Sequence, residues 1–200
     1  MTIDRFAHKA ESYEQNRNRV ENVENIARAI QRSVELRSSM HIMDFGSGTG
    51  LLLEQIAPHV GKITAVDVSP SMNTQLREKQ SRLPCKTEIL EIDLERAEIE
   101  GQFDGIVSSM TMHHIRDVGA MFRRFYGMVK AGGFIAIADL DLEDGSFHTE
   151  DTGVFHTGFE RTAIATLATG AGFQSVTVSS ASVVRKPQGD YGVFLLTGVR

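Results

Sequence analysis

The chain has 200 residues, 41% hydrophobic and 24% charged, which is enough for one domain to bury a core without a metal or disulfide staple and excludes a disordered chain, a collagen and a coiled coil. Its single cysteine, Cys85, rules out an internal disulfide and a cysteine zinc site. Twenty-one Lys and Arg against 26 Asp and Glu give a net charge of −5, a poor match for nucleic acid or anionic membrane, which both need clustered positive charge.

The first residues, Met1-Thr-Ile-Asp-Arg-Phe, place charges where a secretory signal carries its apolar stretch, and no run of 18 apolar residues occurs. A cytoplasmic protein with no membrane span is therefore expected. No repeat, low-complexity tract or linker divides the chain. Val23, Ala27, Ile30 and Val34 recur at helical spacing, so a helix is predicted over 20–36. His41-Ile-Met-Asp-Phe, ended by Gly46, reads as a buried strand, and a helix pattern follows over 50–57. Lys62–Val68 is the second strand. Ser69-Pro70 then supplies an N-cap and a first-turn residue for a helix that places Met72 and Leu76 on one face. Lys86–Ile92 is a weaker strand and Phe103–Ser109 a clear one. Val118, Met121, Phe122, Phe125 and Val129 fit a helix face, with Lys130 expected in the last turn and Gly132-Gly133 just beyond. Phe134–Ala138 is a fifth strand. Ile164, Leu167, Ala168 and Ala171 make a further helix face, and Val176–Val178 and Val193–Thr197 are the last strands. Alternating helices and near-continuous apolar strands predict a mostly parallel sheet covered on both faces, with ligands bound beyond the carboxyl ends of the strands.

The chemistry is sought at those ends. The first strand runs into Asp44-Phe-Gly46-Ser47-Gly48-Thr-Gly50. Alternate glycines let a backbone turn tightly and approach a ligand that a Cβ would exclude, although a tight strand-to-helix turn needs the same residues. The dinucleotide fingerprint Gly-x-Gly-x-x-Gly would need a glycine where Leu51 stands. Asp44 beside the turn would repel a pyrophosphate and suits an ammonium group, directly or through water. Asp67, which ends the second strand, can accept bonds from both ribose hydroxyls; a surface or capping Asp is the alternative. After the third strand, Asp93 can accept from an exocyclic amine, and Leu94 can pack on an adenine; a plain loop acid is equally compatible.

Together these positions describe an adenosine with an amino acid attached and no phosphate. From about Ile42 to Leu140 the sequence resembles the class I S-adenosylmethionine-dependent methyltransferases, small-molecule branch. The resemblance rests on Asp44–Gly50, Ala65-Val-Asp67-Val68-Ser, Ile92-Asp93-Leu94, Phe103–Met110 and Val129-Lys-Ala-Gly132-Gly133-Phe. It implies an α/β, Rossmann-like seven-stranded sheet, mostly parallel, with helices on both faces and an antiparallel last strand. It also implies S-adenosyl-L-methionine as cofactor, bound by Asp44, Gly46, Ser47, Gly48, Gly50, Asp67, Val68, Met72, Asp93, Leu94 and Ser109. One domain over 1–200 is expected. Phe6-x-x-x-Ala10-x-x-Tyr13 looks like the N-terminal helical lid of small-molecule methyltransferases, assigned to 1–38 ahead of a core over 39–200, and equally like an ordinary amphipathic face.

The acceptor side is less constrained. Ser108-Ser-Met-Thr-Met-His113-His114 lacks the Asn/Asp-Pro-Pro-aromatic motif of base and glutamine amino-methyltransferases, and Pro84-Cys85 precedes the third strand, so no nucleic-acid partner and no cysteine nucleophile are expected. His113 or His114 can contact the acceptor or act as a base. From Asp139 to Gly158 there are six acids, two histidines and no Lys or Arg. This is a solvated loop or an acceptor-binding segment; His148 and His156 are badly spaced for a metal, and none is expected. His113, His114, His148 and His156 are the catalytic candidates, and Tyr13, Asp139, Phe147 and Phe159 the substrate-binding ones. An acidic mouth studded with Phe147, Phe155 and Phe159 would favour a neutral or cationic acceptor. A nicotinamide oxidoreductase and a non-catalytic S-adenosylmethionine-binding or scaffold protein are the competing classes.

Overall fold

The computed structural model describes residues 4–150 and 152–200. The helices are α1 (Arg17–Ser33), α2 (Leu51–Ile56), α3 (Pro70–Lys79), α4 (Val118–Met128) and α5 (Arg161–Gly170). The strands are β1 (His41–Phe45), β2 (Lys62–Asp67), β3 (Lys86–Glu91), β4 (Phe103–Ser109), β5 (Val129–Leu140), β6 (Gln174–Lys186) and β7 (Gly189–Val199). They form one seven-stranded sheet in the order β3-β2-β1-β4-β5-β7-β6, in which β7 alone runs against its neighbours β5 and β6. This is the Rossmann-like, mostly parallel α/β fold that the sequence pattern predicts.

Local chemistry accounts for the element boundaries. Asn16 accepts from the N–H of Arg19 and starts α1, earlier than the apolar spacing alone places it. Ser69 caps α3 by accepting from the N–H of Met72 at 3.2 Å. Asp117 and Glu160 cap α4 and α5 in the same way. Two expectations need correction. The fourth helix ends at Met128, and Lys130 lies in β5, where it pairs with Asp104 at 2.8 Å. The N–H of Gly132 bonds the carbonyl of Arg200, so pairing across the sheet, not a helix cap, sets this stretch. The last two strands also extend well past their apolar centres, because β6 and β7 pair as a long hairpin whose ends are polar.

Both sheet faces are buried, and β5 shows this residue by residue. Phe134, Ala136, Ala138 and Leu140 point into a core shared with α1 and α2, whereas Ile135 and Ile137 point into one shared with α4 and α5. A strand buried on both sides needs apolar residues at successive positions, and burial of each large side chain contributes ~1.5–3 kcal/mol. The order reverses between β1 and β4, and the crevice beyond their carboxyl ends is where such sheets bind ligands. Among the described residues no helix is long and apolar enough to cross a membrane.

Candidate active site

A cavity of about 620 Å³ opens at that crevice, within the ~300–1,000 Å³ range of small-molecule sites. Its floor is the turn from β1 into α2. Gly46, Gly48 and Gly50 all have positive φ. A Cβ on Gly46 would lie 2.1 Å from Oγ1 of Thr111, whereas one on Gly48 would meet nothing within 4 Å. Gly46 is thus needed for close packing of two strand ends, and Gly48 leaves an open face toward the cavity. Met110, also at the rim, has φ 58° without being glycine, a sparsely populated conformation that tends to cluster at functional sites.

Asp44 lies on the cavity wall with 1% exposure, and its Oδ2 has no hydrogen-bond partner. Burial, reinforced by the charge of Asp67, pushes its pKa up to about 8. Such a carboxyl is costly unless a cation completes it. Ser47, Thr49 and Ser109, on the same cavity, also have buried hydroxyls without partners. Asp67 receives the N–H of Gly48 on Oδ2 and that of Ser69 on Oδ1, both at 2.8 Å. Each oxygen keeps a lone pair for a hydroxyl. Burial raises its pKa despite those two bonds. Met72 and Leu94 are buried and line the cavity; Val68 and Asp93 line it more openly. The donor set therefore fits an amino-acid nucleoside: an unpartnered anion for an ammonium, a paired-lone-pair acceptor for a ribose and apolar walls for a base. It offers no cluster of free N–H groups to a pyrophosphate, since the N–H groups of Gly46 and Ser47 are spent on the carbonyl of Val66.

The opposite wall carries three histidines. His113, 2% exposed, has Nδ1 at 2.6 Å from the carboxylate of Asp139. Burial alone would raise the pKa of Asp139, but the charge and hydrogen bonds of His113 hold it below the usual carboxylate range. An ionised carboxylate only accepts, so Nδ1 of His113 carries a proton toward Asp139 and Nε2 faces away from it. The rings of His114 and His148 lie 4.3 and 5.1 Å from that of His113. Burial, with the charge of His113, lowers the pKa of His114 to about 3 and that of His148 to about 4. Nε2 of His148 is buried without a partner.

The remaining predicted residues divide. Tyr13 and Phe147 line the cavity. Asp139 stands behind His113, fully buried, with its oxygens taken by His113 and the N–H of Leu140. His156 and Phe159 lie outside the cavity: His156 bonds the carbonyl of Ile115 at 2.9 Å and its ring packs on Phe159. They brace the turn that carries His113. Phe155 is 47% exposed and stacks under Arg116.

The expectation of an acidic mouth is not met. Asp141 forms a two-bond ion pair with Arg161 at 2.6 and 2.8 Å, while Glu143 and Asp144 bond neighbouring backbone N–H groups. Asp151 lies outside the described residues. Of the segment's acids only Glu150 lines the cavity, where Lys9, Arg19 and Lys186 stand as well. These three cations carry no motif; only the packing of the N-terminal segment, α1 and β6 brings them together. The same holds for Asp4, which accepts from Ser69 Oγ at 2.8 Å and from the N–H and hydroxyl of Ser71 at 3.0 and 2.7 Å. It ties the N-terminal segment to the start of α3.

The fold is an α/β sheet with a large cavity at its switch point, and the lining of that cavity suits a nucleoside bearing an amino acid. Residues 42–133 match the family described as "Methyltransferase domain". An uncharacterized methyltransferase of Schizosaccharomyces pombe is 28% identical over 178 residues, covering 78% of this chain and 60% of that protein. A malonyl-[acyl-carrier protein] O-methyltransferase of Bacillus anthracis is 27% identical over 164 residues, 78% of this chain and 56% of that protein. The chain thus spans little more than half the length of these relatives. The fold also matches the N-methyltransferase NodS of Bradyrhizobium japonicum, in complex with S-adenosyl-l-homocysteine, with a TM-score of 0.71 at 16% identity over 92% of this chain and 88% of that one. Residues 42–133 are therefore similar to a methyltransferase domain, and the chain shares its fold with a solved methyltransferase.

Proposed function

We propose that the protein transfers a methyl group from S-adenosylmethionine to a small-molecule acceptor, with Asp44 holding the cofactor's ammonium, Asp67 its ribose and Asp93 with Leu94 its adenine. One observation carries the reading: a buried, unpartnered carboxyl at Asp44 shares a cavity with the His113–Asp139 pair. When bound, the cofactor supplies a methyl carbon activated by its sulfonium, so the protein's part is alignment, exclusion of water and removal of a proton. Asp44 completes its own charge balance on the ammonium. The lone pair on Nε2 of His113 takes the proton that the acceptor's nucleophile loses, and Asp139 stabilises the resulting imidazolium. His114 and His148 stay neutral at pH 7 and leave that proton no competing site.

Thermal-shift titration with S-adenosylhomocysteine tests the cofactor half. A ligand at 100 times its dissociation constant adds ~2.7 kcal/mol, and Asp67→Ala is expected to remove most of that shift without unfolding the free protein. Transfer of labelled methyl across a panel of small acceptors tests the other half; tight binding with no methylated product in any arm would leave a binding protein rather than an enzyme.

A further inference from the structure

Three cations face the cavity from elements other than those that carry Asp44 and Asp67: Lys9 from the N-terminal segment, Arg19 from α1 and Lys186 from the end of β6. The guanidinium carbon of Arg19 lies over the ring of Tyr13, 3.8 Å from its centroid, and the group gives one N–H to the carbonyl of Tyr13. The ammonium of Lys186 sits 3.6 Å over the ring of Phe147 and donates to that residue's carbonyl. Among the described residues neither has a carboxylate within ion-pair distance. Lys9 reaches Glu150 at 3.7 Å, but the Glu150 side chain is 65% exposed, where water weakens the pair. Asn22, 5% exposed on the same cavity, has a side-chain oxygen with no partner.

Like charges gathered on one wall repel. Burial first, and then the charges of Arg19 and Lys9, pull the pKa of Lys186 down against the opposing charge of Glu143. The aromatic rings and carbonyls orient the cations but do not neutralise them. An acid group from a ligand would do so, through charge-assisted hydrogen bonds to the free N–H groups of Arg19 and Lys186.

We propose that the methyl acceptor carries an acid group, a carboxylate or a phosphate, held by Arg19 and Lys186 with Lys9 alongside. This rests on the methyl-transfer reading of the cavity and replaces the neutral or cationic acceptor that the loop composition suggests. The acid is a handle: it holds one end of the acceptor while the nucleophile lies against His113.

NMR chemical-shift titrations of the full chain with benzoate, phenyl phosphate, benzamide and benzylamine, at constant ionic strength, test the idea. Each is run with and without S-adenosylhomocysteine. At least one of the two acids is expected to bind at resonances of the Arg19–Lys186 wall, and the stronger identifies the handle as carboxylate or phosphate. Arg19→Gln and Lys186→Gln are each expected to weaken that acid about tenfold and to leave S-adenosylhomocysteine binding unchanged. Lys186→Arg keeps the charge and is expected to restore acid binding, which separates recognition from a structural role for the Lys186–Phe147 contact. Equal or tighter binding of the amide or amine, undiminished acid binding in both glutamine variants, or displacement of the acid by S-adenosylhomocysteine, whose own carboxylate would then be the partner of these cations, would overturn the proposal. Acid binding without any S-adenosylhomocysteine binding would sink the methyl-transfer reading and leave the acid site standing.

Discussion

Asp44 faces conflicting demands. In the free protein its buried carboxyl is stabilised by holding a proton; in the proposed complex the ammonium requires the charge. Asp44→Asn is therefore expected to stabilise the free protein at pH 8 and above by ~1–3 kcal/mol, read as a higher Tm. The same change should weaken S-adenosylhomocysteine about 10- to 100-fold. If both quantities fell together, the residue would be structural only. His113 makes a separate claim. His113→Gln is expected to lower kcat by ~10²–10⁴ while cofactor affinity holds, and Asp139→Asn should lower kcat too, because an amide in its place no longer selects the Nδ1–H form. Unchanged kcat in His113→Gln would remove it as the base. Asp44 was readable from sequence because it sits two residues before a glycine turn at a strand end. The pairing of His113 with Asp139 was not, since they stand 26 positions apart in the chain and only the adjacency of β4 and β5 brings their ends together.

At the scale of elements, the N-terminal segment is fastened to α3 by Asp4. An anion at a helix N-terminus is favoured by the free N–H groups and the helix dipole. Burial works against its charge, but bonds from Ser71, Ser69 and Phe6 outweigh it and lower the pKa. Asp4→Ala is expected to cost ~0.5–2 kcal/mol, as loss of a cap does. It should raise amide exchange over residues 5–15 while β1, β2 and β4 stay protected. Exchange unchanged over 5–15 would show that the clasp does not hold this segment. The Phe6–Ala10–Tyr13 spacing suggested a helix here, and the backbone instead makes turns and a short 3-10 stretch before α1. Asp4 gains its partners from α3, 65 or more residues away, so local periodicity had nothing to report.

For the whole molecule, the buried titratable groups oppose one another. Asp44 has a folded pKa near 8 against an ordinary 3.8, so its contribution is present at low pH and is lost as pH rises toward 8. His114 and His148 have folded values of about 3 and 4 against 6.5; their contribution is present above 6.5 and is lost as pH falls through those values. Between pH 4 and 6.5 two histidines outweigh Asp44, and above 6.5 no histidine opposes it; the raised pKa of Asp67 works in the same direction as that of Asp44. The free protein is expected to be most stable near pH 6.5, and S-adenosylhomocysteine should move the optimum upward by stabilising ionised Asp44. Denaturant melts from pH 4 to 9 check this; a monotonic rise to pH 9 without ligand would contradict the Asp44 assignment.

The sequence by itself determined the order of strands and helices, the two-faced sheet and the residues at the glycine-turn end of the cavity. Those features rest on short-range patterns: apolar runs, caps such as Ser69, and Asp44, Asp67 and Asp93 each standing at a strand end. Only the tertiary structure decided the opposite end. Side chains from the N-terminal segment, α1, the turns after β4 and β5, and the end of β6 converge there, and the charge they create is not the charge of any stretch of chain. Asp141, Glu143 and Asp144 made residues 139–158 read as an acidic mouth, yet none of the three lines the cavity, while Lys9, Arg19 and Lys186 arrive from distant positions to bring positive charge to its wall. Electrostatics depends on distance in space, and the fold alone sets that distance.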